Sequence, residues 1–307
     1  VRRSLNIALR SRNCARAPLH SLRASGARSR RPGWALLAAA FVAFVALVSQ
    51  AAHADGLPSV ASVNLCADQL VLTLAEPRQI RTVSWLAADP EESLLAAEAA
   101  RYPLNYGSAE ELLRFAPEIV IAGSFTNAFA RALLTRLGYA VVVLEPETTV
   151  AEIEANVRAV ARAIGREERG EAVAGEIRAH AERLERERPA RALAAVVVRP
   201  GGFTVGAHSL GQDLMTLAGV RNVAAEQGLD RWGSLSMETL LRSSPDLIVL
   251  TGYRATQPSL ANAVLAHPAL QRASETRRSV TVRAPYWACG LPQSLDSVAL
   301  LQRAAAQ

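Results

Sequence analysis

The 307-residue sequence contains no lysine; all 34 of its Lys and Arg positions are arginine. That absence carries no mechanism of its own, but the placement of the arginines does. Nine of them precede Trp34, and no acidic residue precedes Asp55. Past residue 54, 25 arginines face 28 acids, so a formal charge of +6 becomes about −3. The basic character belongs to the leader, which removes the reading of the body as a nucleic-acid or anionic-membrane binder. Histidine is scarce: after the leader only His180, His208 and His267 remain, far apart in sequence. No H-x-H, H-E-x-x-H or C-x-x-C occurs, which disfavours a bare zinc or manganese receptor and a zinc hydrolase. Gly201, Gly202 and Gly206 do not compose a dinucleotide fingerprint, and no Walker loop is present. Ser209 beside His208 completes no triad, and G-x-S-x-G is missing. No catalytic residue and no cofactor are assigned on this basis.

Long apolar runs are also few. Residues 34–48, WALLAAAFVAFVALV, follow the arginine-rich stretch and precede Ala52-His53-Ala54. A basic region, a short apolar region and an A-x-A site describe a secretory signal peptide over 1–54, cleaved after Ala54. The run is short against the ~20 residues of a membrane span. Arg30-Arg31 hints at twin-arginine export, but Pro-Gly-Trp follows it poorly, and the choice of route stays open. Three cysteines occur. Cys14 leaves with the leader; Cys66 and Cys289 fit either a disulfide in an oxidising compartment or two free thiols.

The rest alternates short apolar runs with amphipathic stretches, an α/β pattern. Strands are expected at 59–63, 80–84, 119–122, 140–144, 194–198, 247–251 and 279–282. Helices are expected at 67–75, 109–115, 128–137, 210–218 and 236–241. Residues 149–188 show no strand: a helix to Ile164, a break at Gly165, then a charged helix from about Glu167 to Arg188, ended by Pro189. Val173, Ile177, His180 and Leu184 give it one apolar stripe. The expected division is an N-terminal lobe over 55–148, a helical linker over 149–188 and a C-terminal lobe over 189–307.

SAEELLRFAPEIVIAG from Ser108 and SMETLLRSSPDLIVLTG from Ser236 match without a gap at an offset of 128 residues. Each reads as a capped helix, a Pro-acid turn and a buried strand, and one copy falls on either side of the linker. Glu110 and Glu238 stand in equivalent first turns, where an acid favours the helix dipole.

With the opening SVASVNLCADQLVLTLA, the strand RTVSW, and the long helix, these repeats make the chain similar to the helical-backbone class of periplasmic binding proteins. That class contains receptors for cobalamin, ferric siderophores and haem in ABC import. The resemblance implies two α/β lobes with small central sheets, joined by one long rigid helix, with a ligand cleft between them. It implies that Glu110 and Glu238, each seven residues before a proline, dock on an ABC permease dimer driven by a cytoplasmic ATPase. It implies a monomer that takes a small-molecule metal chelate, either a ferric siderophore or cobalamin, with no nucleic-acid partner. Haem or a soft metal is the alternative cargo; a two-lobed enzyme or a sensing subunit is the alternative class. Matching positions for the ligand are Asn64, Cys66, Trp85, Tyr106, Phe125, Arg199, Phe203, Trp232, Arg254, Tyr286, Trp287 and Cys289. Aromatic residues at strand ends suit a large flat ligand, and the arginines suit its carboxylates. The two cysteines depart from the better-known receptors. They face each other, hold a soft metal or stay buried as packing; a covalent bridge across the cleft would lock the lobes, so delivery by opening argues against a permanent disulfide.

Overall fold

A computed structural model describes residues 56–252 and 259–307. Among them no helix is long and apolar enough to cross a membrane, and residues 34–48 lie outside them. In chain order the first half forms β1 (Val60–Ser62), α1 (Leu65–Leu74), β2 (Ile80–Ser84), α2 (Ala96–Ala99), β3 (Leu104–Asn105), α3 (Ala109–Phe115), β4 (Ile119–Gly123), α4 (Ala128–Arg136) and β5 (Ala140–Leu144). Two helices follow, α5 (Val150–Ala163) and α6 (Glu167–Arg186). The second half continues with β6 (Ala194–Val198), β7 (Phe203–Val205), α7 (Leu210–Leu217), β8 (Arg221–Asn222), α8 (Val223–Glu226), β9 (Trp232–Ser234), α9 (Met237–Arg242) and β10 (Leu247–Leu250). It closes with α10 (Leu260–Ala263), α11 (Pro268–Thr276), β11 (Arg278–Thr281), α12 (Pro285–Ala288) and α13 (Asp296–Ala306).

Each half builds a parallel sheet, ordered β3-β2-β1-β4-β5 in the first and β11-β10-β6-β8 in the second. Both faces of each sheet are covered, so the apolar strands alternate between two cores rather than between core and water. Val60 and Ile121 face the central core, whereas Ala61 and Val120 face an outer cluster under α3 and α4 with Leu112 and Leu134. In the second sheet Val197, Leu247 and Val249 face inward, whereas Val196, Val198 and Ile248 pack outward with Leu240 and Leu270.

The linker is the helical pair expected from the break at Gly165. Gly165, at φ +70°, reverses the chain between α5 and α6, and Gly170 lets them touch: a Cβ there would lie 2.3 Å from that of Ala161. Both helices reach both halves. The α5 backbone starts on Asp213 of α7, whose carboxylate accepts from Val150 N at 2.8 Å. It ends where Gln79 Nε2 donates to the Ile164 carbonyl at 2.9 Å. Near the start of α6, Arg166 pairs with Glu76 at 2.6 Å, and near its end Gln302 Nε2 donates to the Leu184 carbonyl at 2.6 Å. The 20 residues of α6 span roughly 30 Å. Ile153, Val157, Val173 and Ile177 carry the central core through this pair, joining the first half to Leu214 and Leu301 of the second.

The repeat has a structural meaning in each half. Ser108 Oγ accepts from Glu111 N at 3.2 Å and Ser236 Oγ from Thr239 N at 3.1 Å, capping α3 and α9. Both helices end at a left-handed residue, Ala116 (φ 43°) and Ser244 (φ 47°), which are equivalent at the same 128-residue offset. Among the described residues these two are the non-glycine positions with positive φ. The acid after each proline then ties the following strand to its neighbour. Glu118 Oε2 accepts from Ser59 N at 2.7 Å and Ser59 Oγ at 2.8 Å, and Asp246 Oδ2 accepts from Ala194 N at 2.9 Å. These bonds hold the Glu118 carboxyl below its ordinary range.

Candidate functional site

Because the strands of each sheet run parallel, their carboxyl ends open on one side, where ligands of α/β proteins bind. Along the first sheet these ends carry Tyr106, Trp85, Asn64, Phe125 and Glu145 in strand order. Along the second, Arg199 follows β6 and turns through Pro200–Gly202 into β7. The two-stranded antiparallel ribbon of β7 and β9 sets Phe203 opposite Ser234 and Val205 opposite Trp232. Between these edges lies a cavity of about 590 Å³, mostly apolar and within the range of small-molecule sites.

Of the twelve ligand positions expected from the sequence, eight line this cavity: Asn64, Cys66, Phe125, Arg199, Phe203, Trp232, Trp287 and Cys289. Trp85 and Tyr106 do not. They stack on each other (centroids 6.3 Å apart, planes at 27°) farther along the same strand edge, and Tyr106 is 77% exposed. Tyr286 does not line it either; half-buried, it packs on the central core. Arg254 lies outside the described residues. Glu110 and Glu238 stay away from the cavity, exposed in the first turns of α3 and α9. Glu238 bonds to Arg242 at 2.6 Å, whereas in the first half Arg114 approaches Glu111 instead.

The cavity floor was open in the sequence. There Cys66, the second residue of α1, is joined to Cys289 by a disulfide, with Cα atoms 5.2 Å apart across a separation of 223 residues. In the bonded state neither sulfur is a thiolate for a soft metal. Trp287 beside it is nearly buried and donates its indole N–H to Ser297 Oγ at 2.7 Å. Gly290 presses against α5, since a Cβ there would lie 2.7 Å from Ile153 Cγ1 and 2.9 Å from Glu147 Cδ.

Sequence reasoning missed Glu145, Glu147 and the first turn of α7 (Ser209–Gly211), all on the cavity wall. The strand-end rule that selected Phe125 also selects the residues after β5, so this signal was present. Burial raises the Glu147 carboxyl above its ordinary range, against the bond it accepts from Asn156 Nδ2 at 2.7 Å. The first half thus contributes two carboxyls to the wall and the second half a guanidinium. Behind the wall, buried Asp68 gathers the ends of β1 and β2. It accepts from Ser62 Oγ at 2.5 Å, Ser84 N at 2.9 Å and Ser84 Oγ. Desolvation outweighs these bonds and raises its pKa to about 6. Asn105 Nδ2 extends the network to β3, donating to the Ser62 carbonyl at 2.9 Å and Thr82 Oγ1 at 3.1 Å. These buried bonds fix the strand ends from which Asn64, Trp85 and Tyr106 project.

Two α/β halves with parallel sheets on a helical spine, with a cavity at facing strand ends, define the architecture of a two-lobed binding protein. The chain belongs to the family described as periplasmic binding protein, whose family model matches residues 60–283. Solved structures agree on the fold. The periplasmic heme-binding protein RhuT from Roseiflexus sp. RS-1 superposes with a TM-score of 0.69 at 20% identity, covering 81% of this chain and 100% of its own. The periplasmic heme-binding protein HutB of Vibrio cholerae gives 0.70 at 18%, covering 82% and 100%. The periplasmic vitamin B12-binding protein BtuF of Vibrio cholerae gives 0.63 at 17%, covering 81% and 96%. A comparison with curated protein sequences gives no match.

Proposed function

We propose that this protein is the capturing subunit of an ABC importer and takes an organic metal complex whose metal brings its own ligands, a ferric siderophore or cobalamin. The observation that carries this reading is the chemistry of the cavity wall. It offers Phe125, Phe203, Trp232 and Trp287 as apolar surface and Arg199, Glu145 and Glu147 as polar contacts. Among the described lining residues there is no histidine, tyrosine, methionine or free thiol. Haem iron needs such an axial ligand, whereas a saturated complex needs only shape, apolar contact and a few hydrogen bonds. A second reading, haem, is favoured by the exposed phenol of Tyr106 on the same strand edge.

The protein is exported, is cleaved after Ala54, and hands its cargo to a permease dimer powered by a cytoplasmic ATPase, with Glu110 and Glu238 as contacts. N-terminal sequencing of the exported protein checks the cleavage; a chain retained at full length in the membrane contradicts it. Tryptophan fluorescence checks the cargo, since Trp232 and Trp287 line the cavity. Titration with cyanocobalamin, ferric catecholates and ferric hydroxamates should quench it saturably for one of them. Quenching by haemin that Tyr106→Phe abolishes moves the assignment to haem. No quenching and no calorimetric heat with any of these ligands refutes the metal-complex reading.

A further inference from the structure

A ligand receptor needs no covalent bond in the floor of its cavity, yet Cys66 and Cys289 form one between the two halves. Cys66 lies in the first turn of α1, which follows β1 of the first sheet; Cys289 follows α12 in the second half. Gly290, the next residue, touches Ile153 of α5, so the bond sits one residue from the helical spine, between that spine and the cavity. Any opening that turns one half about the spine must pull α1 away from Cys289.

The slack is small. Cα atoms of a disulfide sit 4.4–6.8 Å apart as a rule, and here they sit at 5.2 Å, which leaves about 1.6 Å of extension. With a lever of about 9 Å, the spacing of packed helices, that extension permits a rotation of about 10°. At twice that lever, the same turn widens the cavity mouth by no more than about 3 Å, a small addition to the opening that the bonded form already has. The bond is also within reach. Cys66 is half-buried and lines the cavity, whereas Cys289 is nearly sealed.

We propose that the Cys66–Cys289 disulfide is a redox-released stop on opening of the two halves, removed by a dithiol reductant that enters through the cavity. One thiolate of the dithiol attacks Cys66 Sγ, the Sγ–Sγ bond breaks, and Cys289 leaves as a thiolate and takes up a proton. The second thiol of the reductant then displaces Cys66, so the dithiol is oxidised to a disulfide and the protein gains two electrons and two protons. The two-lobed receptor reading supplies the purpose of the device, but its test needs no ligand, so failure of a cargo assay and failure of the stop are separable.

The experiment compares air-oxidised protein, the same folded protein treated with dithiothreitol, and Cys66→Ser/Cys289→Ser. Thiol titration of the native protein should rise by two per chain on treatment. Amide exchange in the cavity loops, at Ser124, Arg199, Gly201, Gly202 and Ala288–Gly290, should speed up by about tenfold in the reduced and double-serine forms. Exchange in the sheet cores, at Val60 and Val197, should stay unchanged, which separates opening from general loosening. The radius of gyration from small-angle scattering should rise with the loop exchange. Identical loop exchange and scattering in the oxidised and reduced forms overturns the proposal. So does a bond that yields its thiols only when the protein unfolds, because it is then a permanent staple. Should the double-serine chain fail to fold, the dithiothreitol arm still decides, since it starts from folded protein.

Discussion

Ala116→Gly and Ser244→Gly should each stabilise the protein, and by similar amounts. Both residues hold left-handed backbone, at φ 43° and 47°, and both are exposed, so removing their side chains sacrifices no packing. A side chain in that region costs about 1–2 kcal/mol through the clash of its Cβ with the backbone, and glycine has none. Glycine also widens the unfolded ensemble, which returns about 0.4–1 kcal/mol. The net gain is about 0.5–1 kcal/mol per site. For a folded body of about 250 residues this raises Tm by about 1–4 °C. The two sites lie in the turns before β4 and β10, in different halves, so the double variant should show the sum within about 0.5 kcal/mol. Scanning calorimetry and urea unfolding provide the measurement, with Ala116→Val and Ser244→Val as the opposite perturbation, since a β-branched residue suits this conformation least. Glycine variants that are neutral or less stable, beside valine variants that cost nothing, refute the reasoning.

Asp68 gives a pH signature. Its pKa is near 6 when folded, against about 3.9 unfolded, so the native state binds the extra proton between these values. Stability therefore falls as pH rises from about 4 to 6, by roughly 3 kcal/mol if the full difference is expressed. Asp68→Asn should flatten that slope in urea titrations at pH 4 and pH 7, and an unchanged slope contradicts the assignment. Gly290→Ala drives a methyl against Ile153 and the Glu147 carboxyl. It should cost about 1–3 kcal/mol of stability, checked by chemical unfolding, because the spine on the other side is packed. Glu110→Ala with Glu238→Ala should leave ligand affinity unchanged and slow uptake several-fold in vesicles carrying the permease. Wild-type uptake in the double variant returns both acids to helix dipole stabilisation.

What the sequence disclosed and what it concealed divide by distance along the chain. The strands at 140–144 and 194–198 were read at their true limits because each is a continuous apolar run, and 80–84 because β-branched Ile80, Thr82 and Val83 follow the Glu76-Pro77 breaker. β3, β7, β8 and β9 were missed because two or three residues display no alternation. The β7–β9 ribbon matters most, since it carries Phe203 and Trp232 to the cavity. The helical pair was legible from Gly165, but its packing was not, since Gly170 against Ala161 is a tertiary fact. The union of Cys66 with Cys289 depends on both sheets and the spine being in place, and no local pattern encodes it.

The repeat was legible for the opposite reason: every part of its signature acts within a few residues. The serine supplies the acceptor that starts the helix. The proline bars the residue before it from helical backbone, so Ala116 and Ser244 must leave the α region although neither is a residue that favours the left-handed one. The acid after the proline exchanges hydrogen bonds with the first strand of its sheet. Glu118 N donates to the Ser59 carbonyl at 3.0 Å and Asp246 N to the Ala194 carbonyl at 2.8 Å, while both carboxylates accept in return. This exchange sets Ile119 beside Val60 and Leu247 beside Ala195. A one-residue slip would turn Val120 and Ile248 from their outer clusters toward the central core, so these carboxylates hold the register on which both faces of both sheets depend.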